Sequence, residues 1–171
     1  MELSEGGTVA TQLKNHEYEE DEEGEYIYEF SHVTTGVELT EGRHYWEVEL
    51  IAGEMDSMFV GITRPNLNPA GRYIDSGCND GWLICVSDGS LWGNGKQNDD
   101  IAGRYKQGDR VGVLLDLNNG SLLFFKNGVQ HGPGYAAGSV TGPVVVAVEM
   151  DVIGHSVRFH ANAAFPAGHA Q

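Results

Sequence analysis

Two glutamates, Glu47 and Glu49, have the residue type and spacing that a pair of catalytic carboxylates needs. They are two residues apart, so in an extended strand they would project from the same face at roughly 6–7 Å. Such a pair is compatible with glycoside hydrolysis, and we keep that activity as one hypothesis. The third acid usual in strand motifs of this kind is absent, and a solvated sheet face explains the same alternation. The pattern therefore favours a solvated face over a catalytic pair.

No other motif with chemistry of its own is present in the sequence. The patterns Gly-x-Ser-x-Gly, His-Glu-x-x-His and Gly-x-x-x-x-Gly-Lys do not occur. A strand would place His155 and His160 on opposite faces, so we do not expect them to share a metal ion. The segment 116–120 lacks the ligand register and the closing Glu of a calcium-binding loop. We therefore predict no catalytic residue, no metal site and no cofactor, and expect that the protein is not an enzyme.

The charge of the chain excludes one class of partner. Its 171 residues carry a formal net charge of −15, and residues 1–30 alone contain ten acidic residues and one basic residue. A chain without a basic face is unsuited to the phosphate backbone, so we expect no nucleic acid partner.

Features of secretion and membrane insertion are also missing from the sequence. No apolar run approaches the roughly 18 residues of a membrane span, and no charged-then-apolar leader is found at the N-terminus. The two cysteines, Cys78 and Cys85, form no disulfide framework and are typical of a reducing compartment. We expect a monomer of the cytoplasm or nucleus, with no membrane partner.

Three Asn-Gly pairs, at 94–95, 119–120 and 127–128, punctuate the chain. Asn-Gly tolerates the positive φ angles of a tight type I′ turn, so each pair predicts a reversal between antiparallel strands. The strongest case is the segment 108–128, in which two apolar runs flank the second pair. These repeated turn signals predict a meander of strands, with the functional residues on the loops at the sheet edges.

Apolar and polar residues alternate along the predicted strands, and no segment keeps the spacing of a long helix. Trp46, Val48 and Leu50 share one strand face, whereas Tyr45 shares the other with the two glutamates. The segment 111–117 offers apolar residues on both faces, which predicts two packed sheets. The fold class is therefore all-β, a two-sheet antiparallel sandwich. Further strand candidates are 8–13, 26–30, 58–62, 81–86, 90–92, 144–148 and 156–160.

The length suits one domain, which we place at residues 1–171. Its recognisable motifs cover residues 42–160. Residues 16–25 are predicted to form an acidic loop, because their charges repel one another. Residues 163–171 are predicted to form a C-terminal tail that leaves the fold after Phe165.

One segment resembles a known family. Gly42-Arg43-His44-Tyr45-Trp46-Glu47-Val48-Glu49-Leu50 is similar to the G-x-H-Y-W-E-V-E segment of SPRY domains. Further elements of that family follow in the same order, namely Val60-Gly61-Ile62, Gly81-Trp82, Gly108-Asp109-Arg110-Val111-Gly112-Val113, Leu115-Asp116, Asn119-Gly120, Phe124 or Phe125, Lys126-Asn127-Gly128 and Pro143-Val144.

The resemblance implies a concanavalin-like sandwich (a jelly roll) that acts as a protein-interaction module. In such domains the edge loops bind a short peptide or a partner surface, in some cases as the recognition part of a larger protein such as a ubiquitin ligase adaptor, and most members have no chemistry of their own. The resemblance therefore implies a protein or peptide ligand.

Two features depart from known subfamilies. The L-D-P-x-T-A segment of tripartite-motif ligases is absent from residues 1–41. The Val-Trp-Gly element with which suppressor-of-cytokine-signalling-box members bind an Asn-rich peptide appears here as Val148-Glu149-Met150. Because Glu149 puts a charge in place of a large apolar anchor, that peptide preference is not expected. Glu149 and Met150 are both candidate binding residues, and Met150 is expected to adapt to an aliphatic side chain of the partner.

The first candidate binding loop spans residues 64–75 and carries Arg64, Arg72 and Tyr73. Arginine offers a planar fork of donors and tyrosine a rigid amphipathic ring, and both are enriched where partners bind. We expect the arginines to bond peptide carbonyls or a carboxylate, and the tyrosine to supply apolar area. A solvated loop explains the same residues equally well.

The second candidate is the segment 91–96, which contains Trp92 and Lys96. Trp92 is similar in position to the aromatic residue that lines the peptide pocket in the suppressor-of-cytokine-signalling-box members, although a cap on the sheet edge would also explain it. Residues 98–100, with Tyr105 and Lys106, are predicted to share this rim.

Three alternatives remain open from the sequence. The first is a carbohydrate-binding, lectin-like sandwich. The second is glycoside hydrolysis by Glu47 and Glu49. In the third, the acidic run 17–25 folds over the basic loop residues and occupies the binding site in cis.

Overall fold

The computed structural model describes residues 1–13, 19–20, 26–27, 31–53, 57–65, 80–97 and 102–169. Within these ranges the chain forms fifteen β-strands and one short 3-10 helix at Glu5–Gly7. In chain order the strands are β1 (Glu2–Ser4), β2 (Val9–Thr11), β3 (Glu19–Glu20), β4 (Tyr26–Ile27), β5 (Ser31–Thr34), β6 (Arg43–Ala52), β7 (Met58–Thr63), β8 (Gly81–Cys85), β9 (Leu91–Gly93), β10 (Lys96–Gln97), β11 (Arg110–Asp116), β12 (Ser121–Lys126), β13 (Val129–Gln130), β14 (Val145–Met150) and β15 (Ser156–His160).

The strands build two antiparallel sheets and a small separate pair, β3 with β4. The seven-stranded sheet has the order β1-β2-β15-β6-β11-β12-β13, and the six-stranded sheet has the order β10-β9-β8-β7-β14-β5. Strands distant in sequence therefore meet in both sheets. For example, β6 lies between β15 and β11, and β14 lies between β7 and β5.

The main core lies between the two sheets. It takes alternate residues of facing strands, since successive side chains of a strand point to opposite faces. Trp46, Val48 and Leu50 enter it from β6, as the alternation predicted, and Trp82 and Phe124 are also almost fully buried there. From β11 the core receives Val111, Val113 and Leu115, which are all fully buried.

A second apolar cluster lies on the outer face of the seven-stranded sheet. Tyr45, Leu114 and Phe125 form it, and Phe165 of the C-terminal segment packs against it. The ring centroids of Tyr45 and Phe165 are 5.9 Å apart.

The predicted departure of the chain after Phe165 is wrong, because residues beyond it contact the same face. Pro166 is buried, the His169 ring lies 5.4 Å from that of Phe125, and Arg43 donates a hydrogen bond of 3.1 Å to the main-chain oxygen of His169. Apolar side chains that face outward on this sheet make the contact favourable, because the tail removes them from water.

The three Asn-Gly pairs form two kinds of turn. Asn94-Gly95 and Asn127-Gly128 have positive φ at both residues and join directly paired strands, as a type I′ turn requires. At Asn119-Gly120 the prediction of a two-residue turn is wrong. There the last pair is Asp116 with Ser121, and four residues form the loop. The Asp116 carboxylate accepts hydrogen bonds from two main-chain N–H groups of the loop and so stabilises the wider form.

The strand candidates at 58–62, 81–86, 90–92, 144–148 and 156–160 are confirmed to within a few residues. Part of the candidate 26–30, at residues 28–30, lies outside the described residues. Five short strands, β1, β3, β5, β10 and β13, were not predicted, because each has only two to four residues and shows no alternation long enough to recognise. Of these, β3 lies within the predicted acidic loop 16–25.

Candidate binding surface

Arg64 lies directly after β7, and its guanidinium ties two parts of the chain together. It stacks on the ring of Trp82, with the guanidinium carbon 5.0 Å from the ring centroid. It also donates hydrogen bonds to the main-chain oxygen and the hydroxyl of Thr141, the latter at 2.7 Å, and to the main-chain oxygen of Pro143 at 3.2 Å. Most donors of Arg64 are therefore used within the protein, and its side chain holds the 141–143 segment against the end of the six-stranded sheet.

The same segment is held from the neighbouring strands by a shared acceptor. The main-chain oxygen of Ser139 accepts a hydrogen bond from the indole nitrogen of Trp82 at 2.9 Å and one from the Asn94 amide at 3.3 Å. Trp82 comes from β8 and Asn94 from the β9–β10 turn. The positive φ of Asn94 in that turn therefore also directs its own side chain, which forms part of this surface.

Lys96 follows this turn and lies over an aromatic ring. Its Nζ is 5.6 Å from the ring centroid of Tyr135, a cation–π distance. Tyr135 itself is fully buried, and its hydroxyl donates a 2.6 Å hydrogen bond to the main-chain oxygen of Trp92. The ring of Tyr135 thus supports the β9–β10 hairpin from below and positions the lysine.

Trp92 is partly exposed and packs on the outer face of the six-stranded sheet. Its indole nitrogen donates a 2.7 Å hydrogen bond to the Ser90 hydroxyl, and its ring meets that of Phe59 edge to face, with centroids 6.0 Å apart.

Gly61 of β7 lies between β8 and β14 on this sheet. A Cβ there would lie 2.1 Å from the main-chain oxygen of Trp82, so only glycine fits the close approach of the strands.

We define the edge cluster as Arg64, Trp92, Asn94 and Lys96 together with the supporting segment 139–143. The structure brings three of the predicted binding residues, Arg64, Trp92 and Lys96, to the β7–β10 side of the six-stranded sheet. Within the cluster, Trp92 is on the outer face of the sheet with Phe59, whereas Lys96 and Arg64 are on the side of the core aromatics Tyr135 and Trp82. The cluster therefore presents an aromatic ring on one face of the sheet edge and two cations on the other. Ser139 and Thr141 were not predicted as part of the site. The nearest signal in the sequence was the family element Pro143-Val144, which gave this part of the chain a place in the fold but no role in binding.

Glu149 lies on the outer face of the six-stranded sheet, because its neighbours Val148 and Met150 belong to the core. The prediction that Glu149 contacts a partner is wrong, because its side chain is only 2% exposed. Its Oε1 has no hydrogen-bond partner among the described residues. In the register it is opposite Phe59 on one side and His32 on the other. Burial, with a smaller effect of the nearby Asp151 charge, raises the pKa of the Glu149 carboxyl to about 8. At neutral pH the group is therefore mostly protonated and neutral.

Two expected contact residues lie in the interior. Met150 is fully buried between the sheets, so it offers no surface to an aliphatic side chain of a partner. Tyr105 is also fully buried, and its hydroxyl points to the main-chain oxygen of Phe125 at 3.4 Å, so it does not belong to the predicted rim. Met150 continues the inward alternation of Val146 and Val148 in β14. Tyr105 precedes β11, and its main-chain N–H donates a 3.0 Å hydrogen bond to the oxygen of Val86.

Arg72 and Tyr73 lie outside the described residues, as do residues 98–100 and most of the acidic run 17–25. Their expected roles stay predictions.

The two glutamates considered for catalysis are engaged by cations of neighbouring strands. Glu47 accepts hydrogen bonds from Arg110 and from the Tyr45 hydroxyl, both at 3.0 Å. Glu49 lies 2.8 Å from His160 and 3.9 Å from Arg158. The hydrogen bond from His160 is the main cause that lowers the pKa of Glu49. A general acid of a glycosidase needs a raised pKa, so this geometry is that of a structural ion-pair network.

Two further properties concern only the described part of the chain. It contains no group of three or more His, Cys, Asp or Glu side chains arranged to hold a metal ion. None of its helices has the length and apolar character needed to cross a bilayer.

Comparison with known proteins gives matches in sequence. A family model, that of the SPRY domain, matches residues 43–164. The E3 ubiquitin-protein ligase TRIM11 of Bos taurus is 36% identical over 87 residues, which cover 51% of this chain and 18% of that protein. The SPRY domain-containing SOCS box protein 3 of Xenopus tropicalis is 31% identical over 96 residues, or 52% of this chain and 26% of that protein. The matches thus span only about a fifth to a quarter of these relatives.

Solved structures match over more of the chain. A human SPRY domain superposes with a TM-score of 0.71 at 20% identity, and covers 93% of this chain and 94% of that one. The SPRY domain of human HERC1 gives a TM-score of 0.66 at 19% identity, with 78% and 83% covered. These likenesses confirm the predicted fold, a concanavalin-like antiparallel β-sandwich. Because the family model also matches more than half of the sequence, the chain belongs to the SPRY domain family.

Proposed function

We propose that this protein is a protein-interaction module that binds a partner through the edge cluster, and that it has no catalytic activity of its own. The observation that carries the proposal is the edge cluster itself, in which the β9–β10 hairpin holds a partly exposed Trp92 on one face and the cation of Lys96 on the other. Membership of the SPRY family supports the protein-binding class. The names of two relatives, a ubiquitin-protein ligase and a SOCS box protein, support a place beside ubiquitin ligases and inside the cell.

The mechanism is rigid presentation. The aromatic ring of Trp92 and the ammonium of Lys96 are fixed before binding by the contacts of their strands, so little conformational entropy is lost when a partner docks. Trp92 supplies apolar area, and Lys96 supplies a charge for a carboxylate or a main-chain carbonyl of the partner. Arg64 has a different role from the one predicted. Because its donors bind Thr141 and Pro143, it positions the 139–143 segment and contacts the partner with its outer edge only.

The test is affinity capture with this chain from cell extract, read by quantitative mass spectrometry. The binding variant replaces Trp92 and Lys96 by alanine, and the matched control replaces the exposed Val129 of β13 by alanine. We expect the unchanged chain and the control to retain the same proteins, and the binding variant to retain at most about a tenth of them. Equal retention by all three chains, when all three melt at similar temperatures, would refute the edge cluster as the binding site.

A glycan array, read with and without calcium, separates the lectin-like alternative from this proposal. Saturable binding of a sugar that the Trp92 and Lys96 double substitution abolishes would overturn the protein-binding assignment. We expect no such binding.

A further inference from the structure

A second candidate site lies on the other side of the sandwich, where β6 extends beyond the end of β15. The last pair between these strands is Glu47 with His160, whereas β6 begins at Arg43. Four residues of β6 are thus paired with β11 on one side and lie beyond β15 on the other.

The main chain of Tyr45 faces the β15 side, beyond the last pair between β6 and β15. On the β11 side, the oxygen of Gly42 accepts from Leu117, and the N–H of Leu50 donates to Asp109. Since residues of a strand alternate in the direction of their main-chain groups, the odd-numbered Tyr45 points to the side of β15. Among the described residues it finds no main-chain partner there.

A cavity of about 360 Å³ opens beside this strand end, within the size range of ligand sites. Its lining is largely apolar and includes Val37, Leu39, Trp46, Phe159 and Ala161. The indole nitrogen of Trp46 is buried and has no hydrogen-bond partner among the described residues. An acceptor that reached it would satisfy a donor whose burial otherwise costs free energy.

The charges around the cavity indicate which charge a binding partner should carry. Arg43 and His44 also line the cavity, and the Nε of Arg43 lies 3.4 Å from the Asp116 carboxylate, which offsets its charge. The exposed Glu38 lies between two lining residues, and the exposed Glu41 precedes the strand. The whole chain carries a net charge of −15. A basic segment is therefore favoured over an acidic one by the local and the overall field.

We propose that an extended, basic segment of another protein adds as a short strand beside residues 43–46 of β6 and inserts one bulky apolar side chain into this cavity. Main-chain hydrogen bonds to Tyr45 give the segment its register, the cavity selects the apolar side chain, and lysines or arginines on either side face Glu38 and Glu41. This is strand addition at a sheet edge, with specificity from a pocket. The inference does not depend on the edge cluster, which is built from other residues.

The probe is the peptide acetyl-Lys-Thr-Phe-Thr-Lys-Lys-amide, titrated into the ¹⁵N-labelled full chain and followed by NMR. We expect saturable shifts of the Tyr45 and Val37 amides, and a Kd that rises about tenfold or more when the peptide Phe is replaced by Ser. Absence of saturable shifts up to about 1 mM peptide would overturn the proposal.

Matched variants locate the site. Val37→Lys places a cation at the rim of the cavity, and Val129→Lys makes the same change at a similarly exposed valine of the far edge strand. We expect the first to weaken binding about tenfold and the second to leave it within about twofold. Ala161→Trp, which fills the cavity, is a second variant should Val37→Lys not fold. Equal binding by the folded cavity variants and the control, or shifts centred on Trp92 and Lys96, would contradict the inference.

Discussion

Glutamates on the outer faces of the two sheets have opposite surroundings. On the seven-stranded sheet, Glu47 and Glu49 lie opposite cations of neighbouring strands, and the pKa of Glu49 is lowered. On the six-stranded sheet, Glu149 is buried between Phe59 and His32, and its pKa is raised to about 8. All three occupy outward positions of a strand. The comparison shows that the cross-strand neighbours, and not the alternation, decide whether such a residue is a surface ion pair or a buried neutral acid.

The largest effect is expected from Glu149→Gln. The native-state pKa lies above the unfolded value of 4.5, so the native state holds the proton more tightly, and stability falls as pH rises from about 4.5 to about 8. Gln keeps the shape without the charge. We expect the variant to be more stable than the unchanged chain at about pH 9, on the order of 4 kcal/mol, and similar at about pH 5.

Urea unfolding at both pH values measures this difference. The other groups facing Glu149 are His32 and Asp151. Burial lowers the pKa of His32, but both chains contain this histidine, so its titration cancels in the difference between them. A variant with the same stability difference at both pH values would show that Glu149 does not titrate as a buried acid.

An intermediate effect is expected from Phe165→Ala, which tests how the seven-stranded sheet is covered. Phe165 packs on Tyr45 and lies 5.7 Å from the guanidinium carbon of Arg43. Because the ring is only partly buried, we expect a loss of about 2 kcal/mol in the free energy of unfolding, less than for a core phenylalanine. Hydrogen exchange should then become faster at residues 166–169. Unchanged stability together with unchanged exchange would mean that the tail does not hold this face.

The smallest effect is expected from Glu49→Gln, which removes one partner of the His160 and Arg158 pairs. Exposed pairs contribute little, so the loss should be at most about 1 kcal/mol near neutral pH. The pKa of Glu49 is lowered in the native state, so its contribution exists above the unfolded value of 4.5 and disappears as pH falls through the native pKa. Thermal melts at about pH 7 and about pH 3 check this, and a loss that persists at the lower pH would contradict the ion-pair origin.

Much of the architecture was predictable from local sequence, because alternation and Asn-Gly turns are local properties. The core side of β6 and the turns at Asn94 and Asn127 follow from a few adjacent residues. The loop at Asn119 was mispredicted, since the side chain of Asp116, three residues away, sets its width. The pairing of strands that are distant in sequence could not be predicted. Because residues 144–148 are all apolar, the sequence pattern does not show which face of the strand Met150 occupies.

The candidate site was predictable only in part for the same reason. Trp92 and Lys96 are neighbours in sequence and precede or follow one turn, so their proximity follows from the hairpin. Arg64 also joins them, but its main contacts are with Thr141 and Pro143, nearly eighty residues later. An arginine that contacts a partner and an arginine that anchors a segment of its own chain use the same N–H donors. Only the fold shows which of these two roles Arg64 has.

The most direct test of the central claim is hydrogen exchange of this chain, alone and with the partner that affinity capture identifies. Binding through the edge cluster predicts slower exchange at residues 91–97 and 139–143 when the partner is bound, with no change at β13. Slower exchange elsewhere, with residues 91–97 and 139–143 unaffected, would contradict it.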